Sequence, residues 1–464
     1  MCRGDRRRRQ SLGPRPVLYE WDMRQIARSR SLLSDPRFRS LWLSQGIAQT
    51  AQNALLFALL VVVLDITGSS IHTSLLVLCF ILPSIPLGFA VGVLLDRFDK
   101  RPVLILTNLV RAGACVLLYF FHQDVWAIYA ISIGVATAGL FFNPAVVTLI
   151  PSLVPRDKLV PANSLYNFTL TVSQLVGIVF IAPVLLKSVG PDGMFIAGTM
   201  LYLAAAVFGA QVGSVHTPTE RRSLSESFTS MPTEFRDSWR ALSSDKVALL
   251  AVSQLIVSST LVLLFAILIP RYMGEVLDVP ADSAALVFAP TGIGALVGLR
   301  FVPWFSRKSK NQAVVTGLAG VAVCLGLLAL VEPIAELWKS APDALDPSRL
   351  LRVSLLQALV MLFAAPMGFF YALLNAPAQT VLHERAPAHM RGRIFATQVI
   401  SANFISLLPL LMVGVVADLM GITPVLLMLS VGLGALAFVN HAVGSAPKPP
   451  PSRAESRESQ GVRV

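Results

Sequence analysis

Long apolar stretches alternate with short polar connections from about residue 41 to about residue 443. A helix needs about 20 predominantly apolar residues to cross the hydrocarbon core of a bilayer. Twelve segments satisfy this condition and are numbered as spans 1 to 12. They cover about 41–64, 72–95, 103–122, 125–149, 163–187, 193–213, 246–270, 283–305, 311–332, 351–375, 394–418 and 421–443. This pattern predicts an all-α polytopic membrane protein, because strands that cross a membrane are much shorter and alternate in polarity.

A polar, Ser- and Thr-rich segment at 214–245 divides the twelve spans six and six. We therefore predict an N-terminal six-helix bundle at 41–213 and a C-terminal six-helix bundle at 246–443, joined by this segment as a cytoplasmic linker. A basic tail precedes them at 1–40. A polar tail follows at 444–464, and its composition predicts disorder.

The two predicted bundles share a sequence pattern. Span 2 contains Gly88-x-x-x-Gly92 and span 8 contains Gly294-x-x-x-Gly298, each a few residues after a proline. Small residues four apart allow helix backbones to approach closely in lipid. The pattern predicts a helix interface in each half and two halves related by duplication, as in many transporters.

The distribution of charge indicates an orientation in the membrane. Charged residues make up 14% of the chain, against about 25% in soluble proteins. The net charge of +12 could suggest a nucleic-acid partner, but 31 Lys and Arg fall in tails and connections on one side of the spans and 5 on the other. Positive residues concentrate on the cytoplasmic side. We therefore expect a multi-pass protein of the plasma (inner) membrane, with both termini cytoplasmic and no nucleic-acid partner.

The connection between spans 2 and 3 carries a recognisable motif. It reads Gly92-Val-Leu-Leu-Asp96-Arg97-Phe-Asp99-Lys100-Arg101-Pro102. This resembles the signature loop of the major facilitator superfamily. Segments 139–155 and 386–393 are similar to the bacterial exporter branch that includes macrolide efflux proteins and enterobactin-type siderophore exporters. The resemblance covers about residues 35–443.

The resemblance implies two pseudo-symmetric six-helix bundles around a central cavity that opens alternately to each side of the membrane. It also implies that Gly92, Asp96, Arg97 and Arg101 form a conformational latch on the cytoplasmic side. A carboxylate and guanidinium groups at a helix end can pair in one state and separate in the other. The alternative is an ordinary basic loop that determines topology.

Amide side chains occupy single helix faces in several spans. Candidate residues for the substrate cavity are Gln45, Gln49, Gln52 and Asn53 in span 1, Asn167 and Gln174 in span 5, and Gln254 and Ser258 in span 7. Polar groups that face lipid cost free energy, so these residues should face protein or water. They either line a translocation path or hydrogen-bond to neighbouring helices.

Charges within the spans are few. Arg111 is the deepest, and it either binds an anionic substrate or has a structural role, pairing near Asp96 or lining the bundle interior. Proton-driven transporters commonly use a carboxylate inside the membrane. Here the acids lie near span ends, and Asp65 and Asp418 at the rim are the candidates for coupling.

These observations predict a secondary active transporter that exports amphipathic small molecules, such as a drug, a macrolide or a siderophore, by alternating access. Its partners would be a small-molecule substrate, protons as a candidate coupling ion, and the lipid bilayer, and we expect a monomer. A lysophospholipid or lipid-intermediate flippase and a non-transporting membrane sensor or scaffold remain alternatives. The sequence contains neither a GxxxxGK[ST] loop nor a CxxC or HExxH motif, so we expect no enzyme activity, cofactor or metal.

Overall fold

The computed structural model describes residues 32–155, 158–213, 233, 236–280, 283–307, 309–338, 354–386 and 391–444. Every regular element within these ranges is a helix. In chain order the helices are Pro36–Thr67 (span 1), Ser70–Ile81 and Ser84–Arg97 (span 2), Lys100–Phe121 (span 3), Val125–Leu153 (span 4), Leu159–Leu175 with the π-helical segment Val176–Ile181 and Ala182–Gln211 (spans 5 and 6), Lys246–Glu275 (span 7), Ala284–Phe305 (span 8), Lys310–Ala329 (span 9), Val331–Trp338, Leu355–Arg385 (span 10), Arg391–Met420 (span 11) and Ile422–Gly444 (span 12).

Spans 5 and 6 form one helical run that is broken at Gly190. Within the described residues, eleven helical runs are long and apolar enough to cross a membrane, and one of them, Pro161–Gln211, has 51 residues. At 1.5 Å per residue that run is about 75 Å long, more than twice the thickness of the hydrocarbon core. Gly190 has φ 70°, which glycine adopts without strain, and Pro191 follows it. The run therefore crosses twice, and the prediction of twelve spans is confirmed.

Short connections between the spans are possible because polar residues cap the helices. The Asp35 carboxylate accepts hydrogen bonds from the backbone N–H groups of Arg37 and Phe38 at the start of span 1. Asp245 caps span 7 in the same way. Gly68 ends span 1 with φ 63°. These caps satisfy backbone groups that each helix end leaves unpaired.

The direction of the spans defines two faces of the molecule. We call the face where span 1 begins the Pro36 face, and the face where span 1 ends the Thr67 face. After twelve crossings the chain returns to the Pro36 face at Gly444. We call spans 1 to 6 the N-terminal half and spans 7 to 12 the C-terminal half. The halves pack against each other mainly through spans 2 and 11, spans 1 and 7, and spans 5 and 8.

The paired glycines of span 8 lie at a helix interface, as predicted. A Cβ atom on Gly298 would lie 2.6 Å from the carbonyl oxygen of Phe369 in span 10, and Gly294 packs still more closely against the Ala365 carbonyl. In span 2 a Cβ atom on Gly88 would lie 3.1 Å from the side chain of Ile400, which belongs to span 11. The side chains around Gly92 lie outside the described residues. The glycine motif of span 8 thus joins two helices of one half, whereas Gly88 faces the other half.

We expect Gly298→Val to destabilise the C-terminal half, because the added side chain would force spans 8 and 10 apart. Overpacking of this kind costs about 1–3 kcal/mol. The thermal unfolding of purified protein in detergent should shift down by several degrees. The matched control is Gly432→Val in span 12, where an added Cβ meets nothing within 4 Å. Equal melting temperatures for the two variants would contradict the assigned interface.

Candidate functional site

The carboxylate of Asp418 joins the two halves at the Thr67 face. It lies in the last turn of span 11 and accepts hydrogen bonds from the start of span 2. The donors are Ser69 Oγ at 2.5 Å, the Ser70 N–H at 2.8 Å and the Ile71 N–H at 3.1 Å. The start of a helix carries unpaired N–H groups and a partial positive charge, so it is a favourable place for an anion.

Arg271, near the end of span 7, completes this contact. Its Nη1 donates to Asp418 Oδ1 and also to Ser70 Oγ, the latter at 2.9 Å. The side chains of Arg271 and Asp418 are 14% and 19% exposed. We call Asp418, Arg271, Ser69, Ser70 and Ile71 the Asp418 bridge. Because it contains charge-assisted hydrogen bonds that are partly shielded from water, it is much stronger than an exposed surface ion pair.

One turn before Asp418, a glycine lets the two halves approach closely. A Cβ atom on Gly414 would lie 2.8 Å from the backbone oxygen of Ser70, and Gly414 also packs against the side chain of Ser74. Ser74 is fully buried. Close backbone packing and the Asp418 bridge therefore close the same end of the molecule.

At the Pro36 face, ion pairs link helices within the C-terminal half. Lys310 at the start of span 9 pairs with Glu384 at the end of span 10. Arg385 pairs with Asp245, the cap of span 7, at 3.4 Å. The connection between spans 8 and 9 lacks an acid of its own, and span 10 supplies one instead.

The predicted latch is described in part. Arg101 Nη2 donates to the carbonyl oxygen of Ala210 at 2.6 Å, at the end of span 6. A cation at a helix C-terminus is favourable because unpaired carbonyl groups concentrate there. Gly92, Asp96 and Arg97 lie on the helix Ser84–Arg97, but their side chains fall outside the described part, so the latch stays a prediction.

The amides of span 1 are only partly exposed. Gln45 is 2% exposed and donates to the Tyr166 carbonyl oxygen at 3.4 Å, and Asn53 donates to the carbonyl oxygen of Gln49. Gln52 is half-buried, and its Oε1 has no hydrogen-bond partner. Gln45 also lines a narrow crevice between spans 1, 4 and 5, with room for no more than about one water molecule, together with Phe38, Trp42 and Tyr166 among others.

The other predicted cavity residues occupy two kinds of environment. Asn167 and Gln174 in span 5 are exposed. Gln254 is 4% exposed and donates to the side-chain oxygens of Asn311 and Asn440, both at 3.0 Å, while Ser258 is 1% exposed. Gln254 thus joins spans 7, 9 and 12 inside the C-terminal half. The structure does not bring all eight candidates together, and their role in a cavity stays a prediction.

The π-helical segment Val176–Ile181 links span 1 to the other half. A Cβ atom on Gly177 would lie 2.7 Å from the Thr50 carbonyl oxygen and 2.8 Å from Asn53 Cβ. The same segment packs against span 8. A π-helical turn widens the helix locally and is often found at functional positions.

Arg111 is completely buried near the middle of span 3. Its guanidinium lies over the rings of Phe142 and Tyr202, 4.8 Å and 5.7 Å from their centroids. Within the described part of the chain, none of its three side-chain nitrogen atoms has a hydrogen-bond partner. The side chain of Asp96 lies outside that part, so pairing near Asp96 stays a prediction, while the guanidinium lies in the bundle interior as the structural alternative expects.

The rim acids have different surroundings. Asp65 is exposed at the Thr67 face, whereas Asp418 is the centre of the Asp418 bridge. Within the described ranges, no group of three or more His, Cys, Asp or Glu is arranged to hold a metal ion. Sequence reasoning did not identify Arg271, Ser69, Ser70 or Gly414 as functional candidates; the spacing Gly414-x-x-x-Asp418 was the available signal.

Comparison with known proteins identifies the family. The family model described as Major Facilitator Superfamily matches residues 41–345. This range covers most of the chain and includes the motif between spans 2 and 3. The chain belongs to the Major Facilitator Superfamily. It is a multi-pass membrane protein of a transporter family, and the resemblance seen in the sequence is confirmed.

Similar curated members of the superfamily are named as efflux proteins. Macrolide efflux protein A of Streptococcus pyogenes is 29% identical over 131 residues, a match that covers 26% of this chain and 31% of that protein. The multidrug efflux pump Tap of Mycolicibacterium fortuitum is 22% identical over 390 residues, covering 81% of this chain and 88% of that one. The chain therefore matches about a third of the first relative and most of the second.

Solved structures support the superfamily fold. The nucleoside transporter NupG aligns with a TM-score of 0.68 and 11% identity, and the alignment covers 89% of this chain and 100% of that one. At this identity the likeness concerns the fold alone.

We expect Asp418→Asn to weaken closure at the Thr67 face, because hydrogen bonds to a charged group contribute about 1.5–3 kcal/mol each. A Ser74→Cys reporter, in a background with the four native cysteines replaced by alanine, should then react with a maleimide about tenfold faster or more. Labelling of purified protein in detergent measures this rate.

Glu275→Gln is the matched control for that experiment. Glu275 accepts from Arg271 Nε and from the Ile422 N–H, both within the C-terminal half, so its loss breaks no contact between halves. Equal acceleration in both variants would show that the Asp418 bridge does not hold the face closed.

Proposed function

We propose that this protein is a secondary transporter that exports amphipathic small molecules across the plasma membrane by alternating access. The observation that carries the proposal is the Asp418 bridge, which closes one end of a molecule built from two packed halves. A contact of this kind can be made in one state and broken in another. The names of the relatives, a macrolide efflux protein and a multidrug efflux pump, favour export over lipid flipping and over a sensor or scaffold.

The charge distribution supports an orientation with both termini in the cytoplasm. The Pro36 face carries most of the Lys and Arg residues, which follows the positive-inside rule. In this orientation the Asp418 bridge closes the outer face. An exporter with its outer face closed in this way would accept its substrate from the cytoplasm or the inner leaflet.

The chemistry near the Pro36 face supports an amphipathic substrate. The crevice beside Gln45 combines aromatic rings of Phe38, Trp42 and Tyr166 with a single amide. Apolar walls with a few polar groups are typical of small-molecule sites, but such sites have about 300–1,000 Å³, so this crevice would have to widen before a drug-sized molecule could bind. We include Gln49, Gln52, Asn53, Asn167 and Gln174 as candidate cavity residues, because amides facing lipid would cost free energy. Gln254 and Ser258 stay candidates for a state in which the C-terminal half rearranges, since both are buried here.

The connection between spans 2 and 3 would act on the cytoplasmic side, in the state in which the outer face is open. We propose that Gly92, Asp96, Arg97 and Arg101 hold the cytoplasmic side closed after the outer face opens. The contact of Arg101 with the end of span 6 supports this, because it anchors the connection to a second helix. Protons are the candidate driving ion, with Asp65 and Asp418 as rim acids.

We expect cells that lack their own exporters to accumulate several-fold less macrolide or amphipathic dye when they express this protein. Gly177→Val should abolish the difference, because its side chain would collide with span 1 and prevent the helices from moving together. Gly134→Val is the matched control, since an added Cβ there meets nothing within 4 Å. Accumulation of labelled compound measures the effect, with membrane levels checked by a fluorescent tag.

The same assay tests the driving force and the orientation. A proton uncoupler should restore the accumulation of the labelled compound in cells that express the protein. If the uncoupler has no effect, protons do not drive the export. Accumulation unchanged by expression across chemically diverse amphipathic compounds would overturn the export proposal. Tags that placed the two termini on opposite sides of the membrane would contradict the topology.

A further inference from the structure

Arg111 has no counterion within the described structure. A guanidinium keeps its proton in proteins, so the group carries a full positive charge at the centre of the N-terminal half. The residue one turn earlier on the same helix face is Asn108, a neutral amide whose Oδ1 has no hydrogen-bond partner. The spacing of three residues is the position where an acid would have paired with Arg111.

The aromatic rings around Arg111 do not balance its charge. The attraction between a cation and an aromatic ring is smaller than the free-energy cost of transferring an ion into a protein interior. Unpaired hydrogen-bond donors add to that cost. Phe142 and Tyr202 therefore orient the guanidinium without satisfying its N–H groups.

Other unpartnered polar groups lie beside Arg111. The hydroxyl of Tyr202 and the Oε1 of Gln52 are both buried without a hydrogen bond. The side chains of Arg111 and Gln52 approach each other at Gly139 of span 4. The position of a Cβ on Gly139 lies 3.2 Å from Arg111 Nη2, 3.4 Å from Gln52 Oε1 and 3.5 Å from Gln52 Nε2.

These groups suit an anion. The guanidinium supplies several N–H donors, the Tyr202 hydroxyl supplies one, and the Gln52 amide can present its NH₂ group. An oxyanion accepts hydrogen bonds from all three and neutralises Arg111, and a guanidinium matches a carboxylate or phosphate with two parallel bonds. A water molecule would satisfy the donors but would leave the charge uncompensated.

Access to this group is linked to the movement of the halves. Gln52 is half-buried, and its side chain lies beside Arg111. The helical turn that carries Gln52 also contains Thr50 and Asn53, and Gly177 of the π-helical segment packs closely against both of these residues. That segment also packs against span 8 of the C-terminal half. A shift of span 8 relative to span 5 would therefore release the turn that covers Arg111.

We propose that Arg111, Gln52 and Tyr202 form a binding site for an anionic group, a carboxylate or phosphate, that is reached when the halves move. The group is either part of the transported molecule or a free anion. If the anionic group belongs to the transported molecule, the inference rests on the proposed export function, and the substrate class is an amphipathic molecule with a negative charge. If the group is a free anion, the inference does not depend on export.

The test uses a fluorescent probe with a free carboxylate and the methyl ester of the same probe, with the protein reconstituted in liposomes. We expect Arg111→Gln to lower the flux of the acid about tenfold or more and to leave the flux of the ester within about twofold. Arg300→Gln is the matched control, because Arg300 also lies within a span but is exposed. Equal loss for acid and ester, or no loss for either, would overturn the inference.

A binding measurement separates this inference from the export function. Benzoate, as a free anion, should raise the melting temperature of the wild-type protein and not that of Arg111→Gln. If benzoate raises the melting temperature but neither probe is transported, the binding site is supported and the export proposal is contradicted. If the ester is transported as fast as the acid and benzoate does not raise the melting temperature, the export proposal is supported and the anion site is contradicted. If Arg111→Gln does not fold, inhibition of acid flux but not ester flux by benzoate in the wild-type protein decides the question.

Discussion

Hydrocarbon offers no hydrogen-bond partner, and the architecture of this protein follows from that constraint. Backbone groups pair within helices, and the helix ends are capped by residues such as Asp35 and Asp245. Polar side chains lie between helices, as Gln254 does with two asparagines. The same constraint strengthens the Asp418 bridge, because a carboxylate and the start of a helix satisfy each other where water is scarce. It also makes the guanidinium of Arg111 unusual, because none of the described residues forms a hydrogen bond with it.

Much of the fold could be predicted because it depends on local patterns. Apolar length identified the spans, and Gly190-Pro191 marks the break between spans 5 and 6 that the hydropathy pattern indicated. Spacing of small residues identified the interface at Gly294 and Gly298, since residues four apart share one helix face. The superfamily motif between spans 2 and 3 is equally local, because its glycine and charged residues lie within one short connection, and it indicated the family directly.

The candidate site was less predictable because its residues meet across long sequence separations. Asp418 was identified only as a rim acid, and its partners Ser69, Ser70 and Ile71 lie almost 350 residues earlier in the chain. An amide on a helix face also looks the same whether it faces a cavity or another helix. Gln254 could therefore not be assigned to its neighbours Asn311 and Asn440 from sequence.

Two of the donors in the Asp418 bridge are backbone N–H groups, at Ser70 and Ile71. No side-chain substitution in span 2, apart from proline, can delete such a donor. Mutations that adjust how firmly the Thr67 face closes can therefore arise at Arg271, Gly414 and Asp418 and at the hydroxyls of Ser69 and Ser70, but they leave the two backbone donors in place. The two halves are then free to diverge unequally, because the C-terminal half contributes a carboxylate and a guanidinium that substitution can remove, whereas part of the contribution of the N-terminal half is backbone that most substitutions preserve.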